Sequence, residues 1–225
     1  MAAPYKEVWQ GIRVPWITPW TSEQHHVGEL RRLMGRGGAG LGYRDEQPHV
    51  DRNRDGVLWV RPDPGSIRSG RPQFTGVHPL RQRQAMDRML CQVCGLTVWG
   101  TREDERALWV LRSGGRPIAE GETTTAPPVH EACALQAVNL CPHLRQGWVA
   151  ALVGWTPCWG VAGFVYDPVT LTLVAGSDDT MIQIPYEAEQ RLRWVVAAAE
   201  VVSLHEVEPI DLARLEAEAQ AAAPI

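Results

Sequence analysis

Two short segments constrain this chain more than anything else in it: Cys91-Gln92-Val93-Cys94-Gly95 and His130-Glu131-Ala132-Cys133. Each carries two donors separated by two residues, a spacing that lets both reach one ion. Three thiolates and one imidazole make a complete tetrahedral set for structural zinc. Cys91, Cys94, His130 and Cys133 are therefore the expected ligands, and Zn2+ the expected cofactor. Any fold open to the chain must bring these two distant segments together.

The local sequence around each pair differs. Cys91-x-x-Cys94 followed by Gly95 has the form of a zinc knuckle, with Gly95 allowing the tight backbone after the second sulfur. Pro127-Pro128 precede the second pair, and Ala134-Leu135-Gln136-Ala137-Val138 continue it with good helix formers. His130 and Cys133 should thus share a face at the first turn of a helix. Between the pairs, Leu96–Trp99 and Ala107–Leu111 read as two strands, joined by the charged turn 101–106. Knuckle, hairpin and ligand-bearing helix in that order resemble a treble-clef zinc finger over roughly residues 88–145. The resemblance implies that fold for the segment and a structural zinc. It extends to the HNH nucleases, which use the same scaffold, but that chemistry needs a general-base His between the ligand pairs. This chain has none between Cys94 and His130.

Cys141 competes for a ligand role. It lies eight residues beyond Cys133, about 12 Å along a continuous helix, while zinc–sulfur bonds are about 2.3 Å. Pro142 marks the helix end. Cys141 is expected to be buried, His143 a helix-end or core residue, and Cys158 a buried free thiol.

Composition narrows the class. The 225 residues are 44% hydrophobic, enough for one large or two small domains. A net charge of −4 argues neither for nor against a polyanionic partner. Five Cys with metal-like pairing argue against a secreted disulfide scaffold, and no apolar run is long enough to span a membrane. The first residues lack a signal-peptide pattern, so a cytoplasmic protein is expected. Lys6 is the single lysine, and Arg, Ala, Gly and Val abound, a usage that resembles an actinobacterial-type, high-GC chain. Ten Trp against two Phe point to core packing, with a base-stacking surface as the alternative.

Along the chain, the expected organisation is α+β: a treble-clef zinc module embedded in a mixed body with an antiparallel β-meander and terminal helices. Residues 1–78 hold an extended Pro/Trp segment that packs across the body, a helix over Ser22–Met34 capped by Thr21, and a Gly/Arg-rich loop region. Gly35–Gly42 contains a formal G-x-G-x-x-G but no strand precedes it, so it reads as a loop. Asp51, Asn53 and Asp55 match the first half of a calcium loop, yet position twelve is Pro62, and a turn into a strand is the simpler reading. Residues 61–77 read as loop or linker. Residues 79–146 form the zinc module, entered through a helix from Pro79 to Leu90 with Leu80, Met86, Met89 and Leu90 facing the rest of that module. Residues 147–225 form the meander (Trp148–Trp155, Trp159–Tyr166, Leu171–Ala175, Met181–Pro185), an apolar helix over Glu187–Val202, and a last helix over Leu212–Ala223. The three segments are expected to form one integrated body.

Residues 50–90 hold eight Arg and four Asp, the one basic stretch, while 187–225 is acidic. Arg81, Arg83 and Arg88 are the candidate nucleic-acid contacts. The expected function is a non-enzymatic zinc-binding interaction module, with a protein or nucleic-acid partner and no membrane. The alternative is an enzyme of another class, either nucleic-acid-processing with HNH-like ancestry or built on Cys158 or on His25, His26 and Glu29.

Overall fold

The computed structural model describes residues 3–35, 37–63, 68–113, 115–141, 144, 147–176 and 180–212. It is a mixed α+β protein with several antiparallel sheets and few helices. In chain order the elements are β1 (Val8–Trp9), β2 (Ile12–Arg13), β3 (His25–His26), β4 (Leu30–Gly35), β5 (Gly38–Tyr43), α1 (Pro48–Asp51), β6 (Leu58–Trp59) and β7 (Arg61–Pro62). Then follow α2 (Pro79–Asp87), β8 (Ala107–Arg112), β9 (Thr123–Thr124), α3 (Glu131–Leu140), β10 (Trp148–Trp155) and β11 (Cys158–Tyr166). The chain closes with β12 (Leu173–Ala175), β13 (Ile182–Pro185), α4 (Glu189–Leu192), β14 (Val195–Ser203) and β15 (His205–Ile210).

The chain divides into two compact units, both discontinuous: residues 1–19, 72–157 and 202–225 in the first, residues 20–71 and 158–201 in the second. In the first unit β10 is the centre of a three-stranded antiparallel sheet, with β15 on one side and β8 on the other. Its core joins Trp109, Leu108, Leu152, Val153 and Leu204 to the cysteines Cys91, Cys94 and Cys133. Trp109 is fully buried, and its indole N–H donates to the Ala126 carbonyl at 2.9 Å. In the second unit β11 pairs with β12 and β13, and the sheet continues through β14 to β6, which runs parallel to β14.

Several expectations change here. Ser22–Met34 is not a helix but contains β3 and β4. The residues that looked like caps are engaged elsewhere: the Thr21 hydroxyl accepts from the Arg71 N–H at 3.0 Å, and Gln24 donates to the Thr21 carbonyl. Gly35–Gly42 is not a loop; most of it is β5, antiparallel to β4. Its glycines make room for neighbours. A Cβ on Gly42 would sit 2.0 Å from a Leu33 methyl, and one on Gly40 3.1 Å from Arg193 Cβ.

The four C-terminal strands appear nearly where the pattern put them, but not as one meander. β10 joins β8 and β15, whereas β11 joins β12, β13 and β14. Glu187–Val202 is not a helix on a sheet. It is the short α4 followed by β14, the strand between β11 and β6. A strand buried on both faces reads as a continuous apolar run, and such a run does not reveal its period. Leu96–Trp99 forms no strand; Thr97 makes a single bridge to Leu90, and β8 pairs with β10 instead. The expected last helix lies outside the described residues beyond Leu212.

The helix before the knuckle is present, but its buried face differs. Met86 is buried, while Leu80 is exposed and Arg81 and Gln82 are inside. Both polar side chains reach backbone carbonyls there: Arg81 donates to Thr18 and Gln82 to Thr125, each at 2.8 Å.

Candidate metal centre

Cys91, Cys94, His130 and Cys133 converge, each offering a ligand atom, and all four atoms lie within 4.8 Å of one another. The knuckle is held as a tight turn. The Cys91 N–H donates to the Leu96 carbonyl at 2.7 Å, and the Gly95 N–H to the Cys91 carbonyl at 2.8 Å. Gly95 has φ +73°, and the Trp16 ring lies 2.9 Å from where its Cβ would be. Only glycine fits that backbone and that contact together.

The N-terminal segment buttresses this turn. Tyr5 donates its N–H to the Cys94 carbonyl, Trp16 to Val93 and Ile17 to Gln92, all at 2.9–3.1 Å. The sequence suggested that this segment packs on the body; it carried no sign that the segment hydrogen-bonds the knuckle. Gln92 joins the two halves of the site. Its backbone N–H donates to the Pro128 carbonyl at 3.0 Å and its side-chain amide to Pro127 at 2.9 Å.

The second pair is placed by α3. His130 is its N-cap residue with extended φ and ψ, and the Ala134 N–H donates to the His130 carbonyl. Cys133 sits one turn in. The ring of His130 turns toward the sulfurs, with Nδ1 3.3 Å from Cys94 Sγ, and Nε2 lies 3.0 Å from the Thr97 carbonyl. A carbonyl only accepts, so Nε2 carries a proton, and Nδ1 is the nitrogen that would offer its lone pair once a cation displaces the second proton. An outer carbonyl that fixes the ring in this way is the usual support of a metal-bound His.

The charges inside the cluster also fit a cation. Without one, hydrogen bonding from Cys91 and then burial push the Cys94 thiol up to about 12. The hydrogen bond with Cys91 holds Cys133 below the ordinary thiol value. Beside Cys91, the His130 ring is raised to about 9. Three crowded sulfurs cannot all ionise unaided, whereas a divalent ion neutralises them.

Cys141, the helix C-cap, is half-buried rather than buried, and is not in the cluster. His143 lies outside the described residues. Cys158 is exposed as a residue, yet its sulfur is partly shielded from water: the Arg54 guanidinium approaches it at 3.6 Å, and this partial desolvation and then Glu200 raise its thiol. The calcium-loop residues are tied up. Asp51 accepts from Arg61 at 2.7 and 2.8 Å and from the Gln47 N–H at 2.7 Å, while Asn53 Oδ1 accepts from the N–H groups of Asp55 and Val57. Of the arginines considered for nucleic acid, Arg88 is exposed, Arg83 half-buried and Arg81 buried. In the second unit His26 pairs with Asp63 at 2.5 Å, and a cavity of about 550 Å³ there is lined by Glu46, Asp55, Arg52 and Arg193 and by none of the four clustered donors.

No family model, curated protein or solved structure matches this chain. Among the described residues no helix is long and apolar enough to cross a membrane.

Proposed function

We propose that the Cys3His cluster holds a structural zinc ion, and that the chain is a zinc-stabilised interaction protein. The observation that carries this is the convergence of three sulfurs and one oriented imidazole at a single point. Four protein donors complete a tetrahedron, so the ion keeps no position for water or substrate. The zinc contributes folding energy and fixes the surrounding surface. Knuckle, strand and ligand-bearing helix follow one another in treble-clef order, with β8 given to the body sheet instead of a local hairpin.

A protein partner suits the zinc region better than nucleic acid. Arg81 is buried, and the turn beside the site exposes Trp99 together with Glu103, Asp104 and Glu105. Arg102 and Arg106 in that turn are both paired to Asp104 and leave little free positive charge for phosphate, while an exposed indole is a common anchor at protein interfaces. The test has two parts. Metal analysis of the purified protein should give one zinc per chain, removed by a strong chelator with loss of cooperative unfolding. Fluorescence anisotropy against mixed-sequence DNA and RNA at low salt should show no binding at micromolar protein. One zinc with salt-sensitive nucleic-acid binding would transfer the function to Arg88 and its neighbours; absence of zinc would remove the reading.

A further inference from the structure

A second group of polar side chains lies in the first unit, apart from the metal ligands in sequence. The segment that carries β9 runs beside the junction of β14 and β15. Thr123 pairs with Ser203, the Leu204 N–H donates to the Glu122 carbonyl at 2.9 Å, and the Gly121 N–H to the Leu204 carbonyl at 2.7 Å. This pairing brings three side chains into line. Ser203 Oγ lies 3.0 Å from His205 Nε2, and Glu120 Oε1 lies 2.9 Å from His205 Nδ1. Glu120 is itself fixed, accepting the N–H groups of Glu206 and Val207 at 3.3 and 3.2 Å. Glu206 there adopts φ +55°, a left-handed conformation costly for a non-glycine residue and often found at functional sites.

The proton positions follow from the partners. The N–H groups of Val207 and Glu206, and then His205, hold the Glu120 carboxyl below the usual carboxylate range. An ionised carboxylate only accepts, so Nδ1 of a neutral His205 carries the hydrogen and Nε2 its lone pair. The Ser203 hydroxyl then donates to Nε2. A hydroxyl donating to an imidazole whose far nitrogen is held by a carboxylate is the arrangement of a serine nucleophile with its base.

We propose that Ser203, His205 and Glu120 form an acyl-transfer centre that hydrolyses short-chain carboxylic esters. Ser203 and His205 are its catalytic residues and Glu120 its positioning residue. In acylation, Ser203 Oγ bonds to the ester carbonyl carbon and its proton passes to His205 Nε2. The ester C–O bond then breaks, and the leaving alcohol takes that proton. Water attacks the acyl-serine, giving its proton to Nε2, and Oγ recovers it as the carboxylic acid leaves. Two features set the substrate class. Ser203 is only 8% exposed, which restricts access to its hydroxyl and favours a small acyl group. Trp155, 59% exposed, has its ring centroid 5.0 Å from that of His205, a flat apolar support for the alcohol portion.

The test uses the zinc-loaded full chain carrying Cys158→Ser, which removes the exposed thiol as a competing nucleophile. A fluorophosphonate probe should add once per chain, with the adduct mapped to Ser203. p-Nitrophenyl acetate should be hydrolysed, and p-nitrophenyl decanoate far more slowly. Ser203→Ala and His205→Ala should each lower acetate hydrolysis by at least about 100-fold, with zinc content unchanged. Glu120→Gln should lower kcat and leave KM unchanged, and Glu120→Asp should recover part of the loss. An adduct elsewhere, no adduct on the folded protein, or hydrolysis that persists in Ser203→Ala would overturn the proposal. The labelling needs no variant at the relay, so a variant that failed to fold would not shield the idea.

Discussion

Replacing Asp51 with Asn should destabilise the protein by about 2–4 kcal/mol at pH 7, and the loss should vanish in acid. The Asp51 carboxylate is 4% exposed and accepts three hydrogen bonds, two from the Arg61 guanidinium and one from the Gln47 N–H. Arg61 also lies over the Tyr43 ring at 4.2 Å, and the buried Tyr43 hydroxyl donates to the Trp59 carbonyl at 2.8 Å. Removing one partner of a buried ion pair costs about 3–5 kcal/mol, because the other charge stays behind. The amide of Asn keeps one acceptor oxygen, and exposed Asp45 still pairs with Arg61, so the expected figure is at the lower end. The pH dependence follows from the carboxyl group. Hydrogen bonding from Arg61 holds Asp51 below the usual carboxylate range in the folded state. Its contribution is present above the unfolded pKa of about 4 and lost as pH falls through the lower folded value. Urea unfolding of both proteins at pH 7, 5 and 3 checks this: the gap should hold to about pH 5 and then narrow. A gap below about 0.5 kcal/mol at pH 7, or one equally wide at pH 3, would refute the assignment.

Cys133→Ser should bind less than one zinc per chain and melt well below the parent, since structural zinc binding is folding energy; calorimetry with metal analysis reads both. Gly95→Ala should cost about 1–3 kcal/mol, from the positive φ and the Trp16 contact together, and should weaken zinc retention against a chelator. Cys158 is exposed but its thiol is raised, so in the native protein an alkylating reagent should reach it slowly at neutral pH, with the rate still climbing above pH 9, as mass spectrometry would show.

The Cys3His cluster was largely legible because its information is local: two donor pairs, a glycine after the knuckle, and helix formers after His130. The strands Trp148–Trp155 and Trp159–Tyr166 were legible for a similar reason, since each apolar run ends at a turn. What the residues did not disclose is pairing. Nothing in Trp148–Trp155 states that its neighbours are β8 and β15 rather than the next strand. Val195–Ser203 failed for a different reason. Buried on both faces, it lacks the alternation that separates strand from helix. Thr21 and Gln24 misled because a capping residue is recognised by type, while the hydrogen bond it makes depends on residues far away, here Arg71. The Ser203–His205–Glu120 line was hidden because Glu120 reaches the other two only through the pairing of β9 with β14.

The interleaving of the two units imposes an order on synthesis. The second unit begins at Trp20, but β14, which lies between β11 and β6, is made only when translation reaches Val195–Ser203. Until then β6 and β11 wait with open edges, and β10 lacks β15. The knuckle and the helix that carry the four donors are translated by residue 141, so the proposed ion could bind much earlier. A ribosome-bound chain halted before β14 should therefore already retain zinc yet remain protease-sensitive from Trp20 to Arg71. Such long-range closure is slow and leaves apolar strand edges exposed meanwhile. The proposed metal would then be the first fixed point of a fold whose central strand is made late.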